Sequence, residues 1–335
     1  MPVSVKLDSN HMRLLLSHLR GLTLMEVRKI LTQAMVADGE LGPQDLERVL
    51  AAKREIVERT GVLEYFRAGE GLDAVAGLGR LKKWLSSRAP VYSDPERAQH
   101  FGLEAPRGLL LVGVQGCGKS LCAKAASNAF GVPLIRLDPA RLYNKFVGET
   151  EKNLRLAIST AERLAPIVLW IDELEKSLGG SDGPGDSGAS QRMLGTFLAW
   201  LQEKDANVFV VATSNDISRL PPELLRKGRF DEIFFVDLPD AESRGQILTL
   251  HLQKRGRDAS TFDVATLARA SEGFSGAELE QAIVSAMFAA FEQQAELSTG
   301  HIVRSIQETR PLSETMAEPV TELREWARGR TVPAD

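Results

Sequence analysis

Leu109-Leu110-Leu111-Val112-Gly113-Val114-Gln115-Gly116-Cys117-Gly118-Lys119-Ser120 is the stretch that decides how the rest of the chain is read. Four apolar residues make a buried strand, Gly113 to Ser120 spells G-x-x-x-x-G-K-S, and Leu121 to Ala126 runs on as a helix. Strand, tight glycine loop and helix are the surroundings that a phosphate-binding loop requires. Gly113, Val114, Gln115, Gly116, Cys117 and Gly118 bring backbone N–H groups around a β-phosphate, and the helix beginning at Lys119 points its positive end at the same anion. The Lys119 ammonium neutralises β/γ oxygens, the Ser120 hydroxyl holds Mg2+, and Leu121 completes the binding run. A nucleoside triphosphate is the expected ligand.

At 335 residues the chain is longer than one hydrophobic core supports, so two or three units are expected. With 43% hydrophobic and 26% charged residues it has the composition of an ordinary soluble globular protein. The formal net charge of −4 argues against a dominant non-specific nucleic-acid surface and leaves room only for a local basic channel. The two cysteines, Cys117 and Cys122, make no disulfide framework and fit a reducing cytoplasm. No apolar run approaches ~20 residues and Met1 to Asn10 has no signal pattern, so neither a membrane partner nor export is expected. The five histidines lack metal-ligand spacing, and no structural metal is expected.

Working outward, residues 1–60 read as a helical segment without strand signal. Leu14, Leu15, Leu19 and Leu22, then Val27, Ile30, Leu31 and Ala34, recur at helical spacing, and Leu46, Val49, Leu50 and Ile56 mark another helix. Gly21 to Val27 aligns with Gly273 to Leu279 at a constant offset, so the segment reads as a lid-like remnant, the alternative being chance agreement between two amphipathic helices. Residues 61–105 read as a linker and docking turn, with the turn at Leu72 to Leu78, a short helix from Leu81 to Arg88 and a loop from Pro90 to Pro106. In 106–238, strands at Leu109–Val112, Pro133–Leu137, Ile167–Ile171, Val208–Ala212 and Phe234–Asp237 alternate with helices. That alternation predicts an α/β fold, a parallel sheet with helices on both faces. Residues 239–310 read as an all-α unit, a helical lid domain, and 311–335 as a tail: a linker, then a short helix from Val320 to Arg328.

The strand Ile167-Val168-Leu169-Trp170-Ile171 ends in Asp172-Glu173, a Walker B arrangement 53 residues after Lys119. Asp172 is expected to hold the Mg2+ shell, and Glu173 to orient and polarise the attacking water. Asn215, three residues past the expected end of its strand, can hydrogen-bond both the γ-phosphate and that water, or can merely stabilise a turn.

Pro222-Glu223-Leu224-Leu225-Arg226-Lys227-Gly228-Arg229-Phe230-Asp231 resembles the second region of homology of AAA ATPases, within the AAA+ superfamily. The resemblance covers most of Leu72 to Glu308. Its closest form is the family called hypothetical chloroplast reading frame forty-six, on Pro106 to Gly113, Leu169 to Glu173 and Lys227 to Pro239. It implies ATP and Mg2+ as cofactors, a homo-oligomeric ring in the form of a hexamer, and a cytoplasmic or plastid-stromal location. It further implies that Arg226 and Arg229 reach the γ-phosphate bound by a neighbouring subunit, where a guanidinium stabilises transition-state charge. Gly276 and Ala277 match the lid backbone that packs near the adenine in this family. Lys145-Phe146-Val147-Gly148-Glu149 resembles the loop with which such ATPases grip a threaded protein, Phe146 and Val147 being the gripping pair; alternatively Phe146 packs onto the following helix. Gly179 to Ser190 reads either as a second axial loop or as a flexible connector.

Two departures stand out. Leu201-Gln202-Glu203-Lys204 replaces the family's Leu-Asp-Gly-Phe, and Gly276-Ala277-Glu278 offers no arginine as second sensor. The family pattern includes an upstream degenerate α/β domain, and the resemblance leads to the expectation that residues 1–60 are an orphan lid of such a domain. The resulting expectation is a ring ATPase that remodels or threads a protein substrate. The alternative is a nucleotide-switched scaffold for protein or DNA, with hydrolysis as a timer.

Overall fold

A computed structural model describes residues 4–8, 11–12, 15–16, 19, 21–38, 40–42, 44–66, 71–142, 149–178, 187–226 and 228–335. β1 (Ser4–Val5), α1 (Leu24–Asp38), β2 (Glu40–Leu41), α2 (Asp45–Glu58), β3 (Leu63–Phe66), α3 (Gly79–Ser93) and α4 (Pro95–His100) precede the glycine loop. The loop joins β4 (Gly108–Gly113) to α5 (Lys119–Phe130), followed by β5 (Leu134–Leu137), α6 (Pro139–Leu142), α7 (Glu149–Arg163), β6 (Ile167–Ile171), α8 (Leu174–Leu178), α9 (Ser187–Glu203), β7 (Val208–Ser214) and β8 (Glu232–Val236). Then come α10 (Ala241–Lys254), α11 (Val264–Ala270), α12 (Gly276–Glu292), α13 (Thr299–Glu308), α14 (Leu312–Thr315), α15 (Ala317–Ala327) and β9 (Val332–Pro333).

All six residues of β4 are buried, as a strand with no polar side chain must be when both its faces are covered. The sheet runs β3-β5-β6-β7-β4-β8-β9, and every neighbouring pair is parallel except β3 with β5. Alternate residues feed opposite faces. Leu110, Val112, Leu169 and Val210 pack with Leu154 and Ala161 of α7 and Phe197 of α9; Leu109, Leu111, Phe209 and Phe234 pack with Leu81 and Leu85 of α3 and Phe130 of α5. The expected α/β sheet covered on both faces is therefore what forms. Helices α10 to α13 have a core of their own, built on Leu248, Leu252, Leu279, Ile283, Ile302 and Ile306. Each of α10, α11 and α12 begins at a side chain, Asp240, Asp263 or Ser275, that accepts a first-turn N–H.

Several expectations are corrected. Residues 1–60 do contain strand: β1 pairs in parallel with β2, two residues each, too short to show alternation. Residues 61–105 are not a plain linker, because β3 pairs with β5 and α3 continues through Pro90 to Ser93. Beyond Pro90, Tyr92 stacks on Phe130 with ring centroids 4.5 Å apart, which holds the last turn against the proline's lost donor. The tail is not a linker and helix alone. Leu312 N–H donates to Glu278 Oε1 at 2.7 Å at the start of α14, and β9 extends the sheet beside β8. Helix α9 starts at Ser187, inside the stretch read as loop.

Leu63 is 1% exposed on β3. Leu63→Ala is expected to cost about 2–5 kcal/mol in urea unfolding, against under ~0.5 kcal/mol for Leu24→Ala, whose side chain is 83% exposed.

Candidate active site

β6, β7 and β4 lie side by side with Ile171 opposite Ala212 and Val112 opposite Ser214, so the chain leaving each carboxyl end emerges at one place. A cavity of about 400 Å³ opens there, within the size range of small-molecule sites. Gln115, Gly116, Cys117, Gly118, Lys119, Ser120 and Leu121 line it, with Asp172, Glu173 and Asn215. Thr213 of β7, Ala74, Val75 and Ala76 of the docking turn, and Ile247, Leu250, His251, Gly276, Ala277 and Glu280 of α10 and α12 form the remaining wall.

Local geometry explains the glycines at two positions. Gly113 has φ 157°, and the Val236 carbonyl stands where a Cβ would go. Gly116 has φ 77°, and a Cβ there would lie 3.0 Å from Ser275 Oγ and 3.1 Å from Ala277 Cβ. The lid consequently rests on the loop, with Ala277 N–H donating to the Gly116 carbonyl at 3.0 Å.

Lys119 is buried and its Nζ donates to the Gly113 and Val114 carbonyls, both at 2.7 Å. Burial pushes its pKa down to about 8, against opposing attraction from Glu175 and Asp172 among others. Ser120 Oγ donates to Asp172 Oδ1 at 3.2 Å. Thr213 Oγ1 donates to the same oxygen at 2.5 Å and accepts the Glu173 N–H at 3.0 Å, so one hydroxyl fixes both acidic residues. Glu173 has φ 50°, a left-handed conformation uncommon outside glycine. Its Oε1 accepts from Asn215 Nδ2 at 3.3 Å and its Oε2 from Lys176 Nζ at 2.8 Å.

The Ser120 hydroxyl and Asp172 carboxylate are hard oxygen donors close enough to share one small cation, so the pair fits Mg2+. Both thiols are pushed up to about 12 by burial; Cys117 and Cys122 stay protonated and offer no nucleophile.

Gly113 and Val114 do not line the cavity; their carbonyls take the Lys119 ammonium instead. Asn215 is the first residue beyond β7 rather than the third, because the strand runs on to Ser214. Its own N–H donates to Glu175 Oε1 at 3.0 Å. Arg226 and Arg229 are not brought to this cleft. Arg226 lines a separate groove with Arg107, Asp231 and Arg330, and Arg229 donates to the Glu223 carbonyl of its own turn. Lys145, Phe146, Val147, Gly148, Lys227 and residues 179–186 lie outside the described residues. Thr213 and Glu175 escaped the sequence reading, although a hydroxyl directly after an apolar strand and a third acidic residue after Asp172-Glu173 were both visible.

Residues 109–238 match the model of the ATPase family associated with various cellular activities (AAA), and residues 261–303 match the AAA+ lid domain. Residues 2–60 match a SpoVK-like AAA ATPase second domain. The chain is 43% identical over 309 residues to the AAA domain-containing protein ycf46 of Guillardia theta, covering 92% of this chain and 61% of that protein. It is 41% identical over 326 residues to the ycf46 protein of Pyropia yezoensis, covering 97% and 66%. It is 33% identical over 273 residues to the proteasome-activating nucleotidase of Methanosarcina mazei, covering 80% and 62%. The chain thus spans somewhat less than two thirds of each of these relatives.

A phosphate beside Lys119 favours the ammonium form, whereas the free protein loses that proton above about pH 8. Nucleotide binding is therefore expected to take up a proton at pH 9 and almost none at pH 6.5, with affinity falling by up to ~10-fold per pH unit between. Calorimetric titration with ADP in buffers of different ionisation enthalpy measures this uptake directly.

Proposed function

Because the chain belongs to the AAA ATPase family, we propose that its cleft binds ATP with Mg2+ and hydrolyses it, and that copies assemble into a ring acting on a protein substrate. The observation that carries the reading is the meeting of Lys119, Ser120, Asp172, Glu173 and Asn215 in one cavity. Bound Mg2+ supplies neutralisation of phosphate charge and orientation of its oxygens.

The protein's own groups do the rest. The N-terminus of α5 and the loop N–H groups orient the phosphates, and Lys119 exchanges its carbonyl acceptors for phosphate oxygens. Ser120 and Asp172 would hold the cation. Glu173 draws a proton from the attacking water, and the Asn215 amide at 3.3 Å keeps the carboxylate aimed until the water is in line. Ala74, Val75 and Ala76, with the apolar side chains of Ile247 and Leu250, exclude solvent around the base.

Arg226 and Arg229 stand away from their own chain's cleft and would serve the neighbour's γ-phosphate, so that turnover requires assembly. A ring of six and a protein substrate rest on family resemblance, including similarity to a protein named as a proteasome-activating nucleotidase. Among the described residues no helix is long and apolar enough to cross a membrane. Residues 1–60 are proposed as an accessory lid-like unit, supported by their match to an AAA-type segment at 2–60. The cytoplasm or the plastid stroma is the proposed location.

Glu173→Gln is expected to bind ATP and stop turning it over; hydrolysis at the parental rate would refute the assignment. Arg229→Ala should keep nucleotide affinity while turnover drops ~10³-fold. Mixing it with Lys119→Ala should restore part of the activity, because some interfaces then carry both intact halves. Stimulation of the parent by an unfolded polypeptide, lost in Phe146→Ala, distinguishes a substrate-threading machine from a nucleotide-switched scaffold.

A further inference from the structure

Strand β3 does more than extend the sheet. Its register sets Glu64 opposite Arg136 of β5, and β5 in turn sets Arg136 beside Trp170 of β6, so the three form one row across the sheet. Two residues beyond Trp170 lies Asp172. The Arg136 guanidinium stands 3.7 Å from Glu64 Oε2, 4.0 Å from Asp172 Oδ2 and 4.9 Å above the Trp170 ring, measured from its Cζ. Its Nε is buried without a hydrogen-bond partner, so this side chain is placed chiefly by two carboxylates and a ring face.

The two carboxylates are themselves anchored. Glu64 Oε1 pairs with Arg141 at 2.6 Å, and Phe66 of the same strand packs edge-on against Trp170 at 5.7 Å. Asp172 Oδ1 is engaged by Thr213 and Ser120, which leaves Oδ2 as the oxygen facing Arg136. A single cation thus stands between an acidic residue on the edge strand and the one proposed to serve the metal.

We propose that Arg136 is a positioning residue for Asp172, and that Glu64 of β3 sets how strongly Arg136 draws on that carboxylate. The proposal rests on the reading of Asp172 as a metal-side group. The guanidinium competes with a divalent cation for Asp172, and Glu64 moderates the competition by drawing on the same guanidinium. Strand β3, which lies outside the segment matched as AAA, thereby tunes metal affinity at the nucleotide site.

The two neutralising substitutions have opposite expected signs, which separates this role from simple structural support. Removing the cation in Arg136→Met frees Asp172, so Mn2+ should bind the ADP complex about fivefold more tightly by electron paramagnetic resonance titration. Removing the competitor in Glu64→Gln leaves Arg136 to Asp172, so Mn2+ should bind about threefold more weakly. Arg136→Lys, which keeps the charge, should fall between parent and Arg136→Met. Both shifts should shrink in about 0.5 M salt, since these side chains are partly exposed. Shifts of the same sign, or none in either variant while the parent binds Mn2+ with ADP and Glu173→Gln abolishes turnover, overturn the proposal and leave the active-site reading standing. A parent that binds no Mn2+ with ADP overturns both.

Discussion

The parallel ladders joining β6 to β7 and β7 to β4 hold three unrelated loops at one end of the sheet, and every contact in the cleft depends on them. Parallel strands offer no short route between neighbours, so each must be reached by a crossover whose helix covers a face. The price of that arrangement is a strand buried on both sides. β4 meets it with Leu109, Leu110, Leu111 and Val112, all fully buried. With β4 seated, the β4–β7 and β6–β7 registers set where Gly113, Asp172 and Asn215 leave the sheet.

Within this frame the hydroxyl of Thr213 joins separate parts of the chemistry. It donates to Asp172 and accepts from the Glu173 backbone, while Glu173 adopts a left-handed φ that few side chains take up. The surrounding contacts hold that conformation: Lys176 and Asn215 both donate to its carboxylate. The Lys119 ammonium illustrates the opposite constraint. Two loop carbonyls satisfy it, yet burial lowers its proton affinity, leaving a group ready to be recharged by an anion.

What could be read in advance follows from how local each signal was. The G-x-x-x-x-G-K-S loop and Asp172-Glu173 carry their meaning within a few residues, and β4, β6 and α10 to α13 have strong apolar patterning. β3 and β9 have neither advantage. Four residues in one and two in the other become strands only because β5 and β8 present open edges to segments far away in the chain. The contact of Glu64 with Arg136 was illegible for the same reason: it exists only through a register between residues more than seventy positions apart. Arg226 and Arg229 show the converse case, because their motif was plain while their distance from the cleft needed the fold.

The lid is tied to the site by backbone as well as by side chains, and this limits how it can move. Ala277 N–H is bonded to the Gly116 carbonyl, and Gln246 of α10 accepts the Gly77 N–H at 3.1 Å beside the docking turn. On the other side of that turn, Asp335 accepts the Gly79 N–H at 3.1 Å, and the Ala334 carbonyl takes the Leu81 N–H at 3.0 Å. The turn at 74–76 is thus held between the lid and the strand that closes the sheet. Rotation of α10 and α12 away from the sheet must break the bond to Gly116 and the bond to Gly77, so the glycine-loop and docking-turn sides of the cavity respond to the same motion. Because α10 and α12 share one core, built on Leu248, Leu252, Leu279 and Ile283, the two bonds are carried by a single packed unit, and a rigid movement of the lid suits these contacts better than bending within it.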